Sequence, residues 1–319
     1  MYQSLKNKVL SSAWALALCA VCFAEPVQAQ PIFFGRGDLL QARNAEAMAK
    51  TADRRMNLEE MQAGMPRTFN PWAEGIYNKT HFSWDSGFNA YSQGFAAGMD
   101  VKASDSMLLG AGYGYTKTKV RSEFYKSNIY SDTYFIYGKY QPEFWYAGGV
   151  ISYGRGRYNQ NERQNGGRYH VDTYYGQLKI GYDRDGYDTY SAICYTYVHP
   201  DNYMSGNDFV EQKNAQVLTG VIGARLSKNY EYSGVFFKPE LRIAALYDFK
   251  SDNRPSVVTI PATVVTYRAD GHRLKRFGGE FGAGLTAVMG PFDLSLNYDI
   301  EVRSKYTSQT GMVDLQYHF

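Results

Sequence analysis

The chain has 319 residues, a formal net charge of +3 from Lys+Arg 34 and Asp+Glu 31, and Cys 3. That length allows one large domain or two modest ones, and the near-balance of charge calls for no nucleic acid as partner. Gly 31, Tyr 29 and Phe 18 tilt the composition toward β structure, and a mean hydropathy of −0.44 does not exclude a membrane barrel, whose strands carry a polar residue at every second position.

Residues 1–29 read as an export signal: Lys6 and Lys8, an apolar stretch from Val9 to Ala24, then Val27-Gln28-Ala29 as a small-residue cleavage site. Cys19 and Cys22 fall inside it, and Leu18 and Val21 stand where a lipobox needs a small residue. Cys194 is then alone in the mature chain, which leaves no internal disulfide and no cysteine-based metal site. Beyond the signal no stretch approaches the ~18–20 apolar residues of a spanning helix. The chain is secreted, or it enters a membrane as strands.

An N-terminal segment follows over residues 30–69. Within it, residues 38–62 are Ala-rich, free of Pro and Gly, and closed by Gly64 and Pro66, which predicts a helix of about 25 residues or ~37 Å. Its apolar stripe, Ala42, Ala45, Ala49, Ala52 and Met56, is narrow, while Arg43, Glu46, Lys50, Asp53, Arg54, Arg55, Glu59 and Glu60 cover the rest. That pattern suits a helix surrounded by polar groups better than one docked on an apolar core; a periplasmic linker is the alternative.

From residue 70 to 319 the pattern becomes alternation. Val235, Phe237, Pro239, Leu241, Ile243, Ala245, Tyr247 and Phe249 face one way, and Lys238, Glu240, Arg242 and Asp248 the other. Residues 292–303 repeat this, and residues 107–116 set Met107, Leu109, Ala111, Tyr113 and Tyr115 against Gly110, Gly112 and Gly114, which would make room in a lumen. Strands are predicted near 71–80, 90–101, 107–118, 131–141, 143–154, 172–183, 187–198, 214–227, 235–249, 275–289, 291–302 and 310–319. The connections alternate between short turns and longer loops at 81–89, 119–130, 155–171, 199–213, 250–274 and 303–309, as in an outer-membrane barrel with periplasmic turns and outer loops. Residues 256–268 could be a thirteenth strand, but parity and Pro261 place them in a loop. The last strand separates completely: Val313, Leu315, Tyr317 and Phe319 on one face, Asp314, Gln316 and His318 on the other.

The same parity sorts the charges. Arg225, Lys238, Glu240, Arg242 and Glu280 fall inward, where they are candidate partners for Arg54, Arg55, Glu59 and Glu60 if the helix enters the lumen, since enclosed charges are costly unless paired. The expected outer loops are basic, with Lys117, Lys119, Arg121, Arg155, Arg157, Arg163, Arg168, Arg273, Lys275 and Arg276, and would face lipopolysaccharide phosphates. The expected periplasmic turns lean acidic, with Asp100, Asp105, Asp183, Asp185 and Asp188. His81, His170, His199, His272 and His318 lie in or beside loops or at the terminus without a hydrolase motif, so no catalytic site, metal or cofactor is expected.

These residues resemble the translocator domain of autotransporters over roughly residues 70–319. The resemblance lies in Trp72-Ala73-Glu74-Gly75, Gly94-Phe95-Ala96-Ala97-Gly98-Met99-Asp100, Gly110-Ala111-Gly112-Tyr113-Gly114-Tyr115, Pro239-Glu240-Leu241-Arg242 and the terminal Tyr317-His318-Phe319. It implies an all-β, twelve-stranded antiparallel transmembrane barrel with an N-terminal α-helix in the lumen, set among outer-membrane lipid and lipopolysaccharide. It also implies insertion by the outer-membrane barrel assembly machinery, with Val313, Leu315, Tyr317 and Phe319 as the assembly signal, and export of a passenger. Only Gln30 to Gly37 separate the expected signal from the expected helix, so no passenger is expected in this chain. Asn44 and Asn57 lack the context for self-cleavage that the family implies. A passive pore, a loop adhesin and, less favoured, a barrel hydrolase are the alternatives.

Overall fold

The computed structural model describes residues 37–58, 69–83, 87–122, 125–162, 167–205, 208–251, 256–260, 265–269 and 274–318. The expected signal, residues 59–62 with Glu59 and Glu60, Arg163, His272, Arg273 and Phe319 lie outside the described residues.

One helix, α1 (Gly37–Leu58), precedes the strands. They are β1 (Phe69–Phe82), β2 (Phe88–Ser104), β3 (Met107–Ser122), β4 (Tyr125–Tyr140), β5 (Trp145–Glu162), β6 (Arg168–Arg184), β7 (Tyr187–Pro200), β8 (Tyr203–Ser205) and β9 (Asp208–Glu211). After them come β10 (Ala215–Ser227), β11 (Tyr230–Tyr232), β12 (Val235–Ser251), β13 (Ser256–Ile260), β14 (Val265–Ala269), β15 (Phe277–Met289), β16 (Phe292–Arg303) and β17 (Tyr306–Tyr317).

Twelve of these close into an antiparallel barrel, the number read from alternation. β1 to β7 are successive neighbours, β10 pairs with both β7 and β12, and β12, β15, β16 and β17 continue the ladder. The seam is β1 with β17, from Trp72 opposite Gln316 to Phe82 opposite Tyr306. At the near end, where β1 begins and β17 finishes, turns are tight: Asp185 and Gly186 both take positive φ, 54° and 85°, the two-residue geometry whose twist matches the flanking strands.

Several boundaries differ from expectation, for one reason. Ladder pairing continues far beyond a bilayer's apolar band, so the expected loops 119–130 and 155–171 are mostly paired strand. β5, with 18 residues, is ~60 Å long and at a ~40° tilt rises ~45 Å, against a band of ~25 Å. The expected loop 303–309 shrinks to a turn at Ser304 and Lys305, the latter with φ 62°. Residues 256–268 hold two strands, β13 and β14, but these pair with β8 and β9 in a separate four-stranded sheet, outside the barrel ladder. The turn 228–234 carries β11, which adds to β12.

Alternation assigns the two faces correctly: Leu241 and Ile243 are exposed and Lys238 is buried. The lumen is polar only in part. At the far end, toward β1–β7, its inward side chains are largely apolar: Phe82 stacks on Phe88 at 5.5 Å, Tyr158 on Tyr169 at 4.8 Å, and Tyr169 on Tyr203 at 4.5 Å. Leu40 of α1 belongs to this cluster, as does Val210 of the small sheet.

Candidate functional site

α1 occupies the lumen and meets its walls in two ways. Toward β2–β6, Ala45, Met48, Ala49, Ala52 and Met56, none more than 3% exposed, cluster with the inward side chains Ala96, Leu108, Phe135, Val150 and Tyr175. The stripe that looked too narrow to dock therefore does dock. The wall supplies the missing fit by being hollowed at its glycines: a Cβ on Gly114 would overlap the sulfur of Met48, and one on Gly156 would crowd the amide of Gln41. Close approach also lets the Ser131 hydroxyl donate to Gln41 Oε1 at 2.9 Å.

Toward β1 and β15–β17 the contacts are ionic. Arg43 donates to Glu301 at 3.1 Å, Lys50 to Glu280 at 2.7 Å, and Arg54 to Glu74 at 2.8 Å. Arg55 ties together the strands on either side of β1, donating to Asp100 on β2 at 2.6 Å and to Asp314 on β17 at 3.0 Å. Its guanidinium lies 5.5 Å from the Trp72 ring; the Trp72 indole N–H donates to the Tyr137 hydroxyl, which in turn donates to Asp100. One ion pair lies on the contact side, where Lys179 on β6 donates to Asp53 at 2.9 Å. The Arg55 and Asp100 side chains are 1% and 0% exposed, so neither charge is sustainable without the other: a buried ion stripped of its partner costs several kcal/mol. Two cavities of about 60 and 40 Å³ run along this flank, both bordered by Lys50 and roomy enough for water.

Of the inward charges named from sequence, Glu280 touches the helix, through Lys50. Arg225 pairs with Asp183 at 2.9 Å and Asp188 at 3.2 Å, both on the wall. Arg242 donates to Glu240 and, at 2.8 Å, to Asp299, which also lies 3.7 Å from Arg54 and so couples the wall pairs to the helix. Lys238 is buried and borders the larger cavity. The carboxylates that Arg54 and Arg55 meet, Glu74, Asp100 and Asp314, were not among the named partners. Asp100, Asp183 and Asp188, grouped with the near-end turns although the expected strands 90–101, 172–183 and 187–198 already held them, are buried in the lumen; Asp105 and Asp185 do lie in turns. Parity held the signal, since Asp100 shares the face of Gly98 and Gly94, and Asp314 had already been assigned inward.

The basic residues expected in loops lie on strands: Lys117, Lys119 and Arg121 on β3, Arg155 and Arg157 on β5, Arg168 on β6, with Lys275 and Arg276 just before β15. In the terminal strand Val313 and Leu315 face outward at 51% and 50% exposure, and the Tyr317 ring lies 5.0 Å from that of Phe292. His318 is buried between Asn70 at 2.9 Å and Asp293 at 2.7 Å, while His81 and His199 each meet an Asn at the far end. Asn44 donates to Ser131, and Asn57 borders the larger cavity.

Comparison with known proteins agrees with this architecture. The autotransporter beta-domain family matches residues 71–299. Outer membrane protein A of Rickettsia conorii is 23% identical over 295 residues, which is 82% of this chain and 14% of that protein, so the chain spans about a seventh of such a relative's length. Among solved structures, the translocator domain of autotransporter NalP from Neisseria meningitidis superposes with a TM-score of 0.65 at 14% identity, covering 88% of this chain and 99% of that one. The beta domain of the Bordetella autotransporter BrkA gives 0.61 at 17%, covering 79% and 100%. Identities this low speak to the fold alone.

Proposed function

This chain belongs to the autotransporter beta-domain family, and from that premise we propose that it is a translocator-type barrel of the outer membrane held shut by α1. The observation that carries the reading is the Arg55 bridge: one helix side chain, enclosed in the lumen, satisfies carboxylates on the two strands that flank β1 at the closing seam, and α1 cannot leave without stripping Asp100 and Asp314 of their shared cation. The far-end cluster around Leu40 anchors the other end of the plug. In this reading the near end faces the periplasm and the far end the exterior, residues 1–29 are a cleaved export signal, and the assembly machinery reads Val313, Leu315, Tyr317 and Phe319. The barrel lies among outer-membrane lipid and lipopolysaccharide, with its extended strands available for surface interaction. The translocator role of the NalP domain is the activity we carry over.

Planar-bilayer conductance tests the plug. Residues 30–319 should stay near baseline, and the same chain lacking residues 37–58 should conduct. Equal conductance of the two would overturn the reading, and an open intact protein would make it a passive pore.

A further inference from the structure

The outward face of β3–β7 is layered. Ile136, Ile151, Leu178 and Ile193, 47–69% exposed, form an aliphatic band. Above it, five tyrosines stand opposite one another on consecutive strands: Tyr113, Tyr134, Tyr153, Tyr174 and Tyr197. Beyond the tyrosines the same face turns basic. Lys117, Lys119, Arg121, Lys126, Arg155, Arg157 and Arg168 occupy the next rows, and Asp132 and Asp172 are the acidic residues among the described ones there.

Those two carboxylates are already engaged. Asp132 accepts from the Tyr113 hydroxyl at 2.7 Å and lies 3.8 Å from Arg157; Asp172 accepts from Tyr153 at 2.9 Å and lies 3.7 Å from Arg155. Both arginines remain more than half exposed, at 56% and 59%, so each fork keeps donors free of the wall. Strand spacing puts neighbouring cations ~5 Å apart across strands and ~7 Å apart along one, within reach of a single phosphorylated headgroup. On the opposite wall the corresponding face beyond Tyr298 is Ile300, Val302, Thr307 and Gln309, without charge.

We propose that this face of β3–β7 is a binding site for a phosphorylated glycolipid of the outer leaflet, lipopolysaccharide, with acyl chains on the aliphatic band, the sugar against the tyrosines and the phosphates on the cations of β3–β6. Arg–phosphate pairing is bidentate and charge-assisted, and the half-satisfied forks of Arg155 and Arg157 suit it. Aromatic side chains with a polar tip favour the boundary between hydrocarbon and headgroup. The length of β3–β6 suits the site: their far ends rise past the hydrocarbon into the layer where the phosphates lie. The site rests on the orientation proposed above, far end outward.

The test uses the full mature chain refolded into nanodiscs, with heat-modifiable gel migration as the check on folding. Retention of bis-phosphorylated lipid A is compared with that of its dephosphorylated form and of phosphatidylglycerol. Replacing Lys117, Lys119 and Arg121 together by Gln should lower lipid A retention about tenfold. A control neutralising Lys250, Lys275 and Arg276 should not. Arg155→Gln with Arg157→Gln serves as a second variant from a different strand. Equal losses in the facet and control variants, or equal retention of the dephosphorylated lipid or of phosphatidylglycerol, would overturn the site. Orientation is read apart from this: Lys126→Cys on whole cells should react with an impermeant maleimide, and failure there leaves the nanodisc affinity unaffected.

Discussion

The two sides of the lumen hold α1 by different physics. Toward β2–β6 the helix is in contact, small side chain against hollowed wall, with Met48 over Gly114 and Ala45, Ala49 and Ala52 allowing the backbone near. Toward β1 and β15–β17 it stands off, across cavities wide enough for water, on charged side chains that reach over: Lys50 to Glu280, Arg54 to Glu74. Contact fixes where the helix lies, because packing is intolerant of volume change. The ion pairs fix its rotation and depth, because each cation has its carboxylate at one height only. A plug built solely by contact would slide along its groove, and one built solely from ion pairs would be loosened by salt.

Three substitutions separate these contributions. The largest effect is expected from Arg55→Met, which leaves Asp100 and Asp314 buried without their cation and should cost ~3–5 kcal/mol in urea titrations of the barrel in bilayers. Should it cost no more than an exposed pair, the Arg55 bridge is not what secures the helix. Next comes Gly114→Leu on the contact side, an overpacking worth ~1–3 kcal/mol, with Met48→Ala in the same chain restoring most of it. Gly311→Leu is its control, since a Cβ there meets nothing within 4 Å. Matching losses at Gly114 and Gly311, or no rescue, would mean that the close approach is irrelevant to stability. The smallest effect belongs to Lys50→Met on the stand-off side. That side chain is 28% exposed and its pair with Glu280 borders water, so ~1 kcal/mol or less is expected, with Glu280→Gln in the double variant adding little. A loss equal to that of Arg55→Met would put both pairs in the same dry environment and erase the distinction between the sides.

Much of this could be read from the sequence, and the failures have physical causes. Alternation yielded the strand count and the facing of residues such as Leu241 and Arg242, because a period of two is imposed by the pleat itself. Strand ends escaped it: past the apolar band nothing forces the outward face to be apolar, so Lys119, Arg121, Arg155 and Arg157 looked like loop. The inward acids Asp100, Asp183 and Asp188 were counted with the turns although the expected strands already held them, at the strand ends nearest those turns, so their inward parity went unused. The apolar far end was hidden because Phe82, Phe88, Val120 and Ile129 break the polar-in pattern only where the strands were thought to have finished. Which carboxylate each helix cation meets was not legible at all. Parity says that Asp314 and Glu74 point inward, but the height of α1 against the wall depends on packing at Gly114 and Gly156, which no strand pattern carries.

The seam between β1 and β17 has a consequence for how the molecule comes into being. It joins Trp72 to Gln316, the two ends of nearly the whole described chain, so its closing entropy is the largest in the fold and its contacts are the most non-local. Until it zips, the barrel is an open ribbon with two bare strand edges and an apolar face, a species that water drives to aggregate and that hydrocarbon rejects for its unpaired amides. Folding and insertion must then be one event, finished at this seam. After that no free edge remains from which to peel the sheet, so a barrel slow to complete is slower still to come apart.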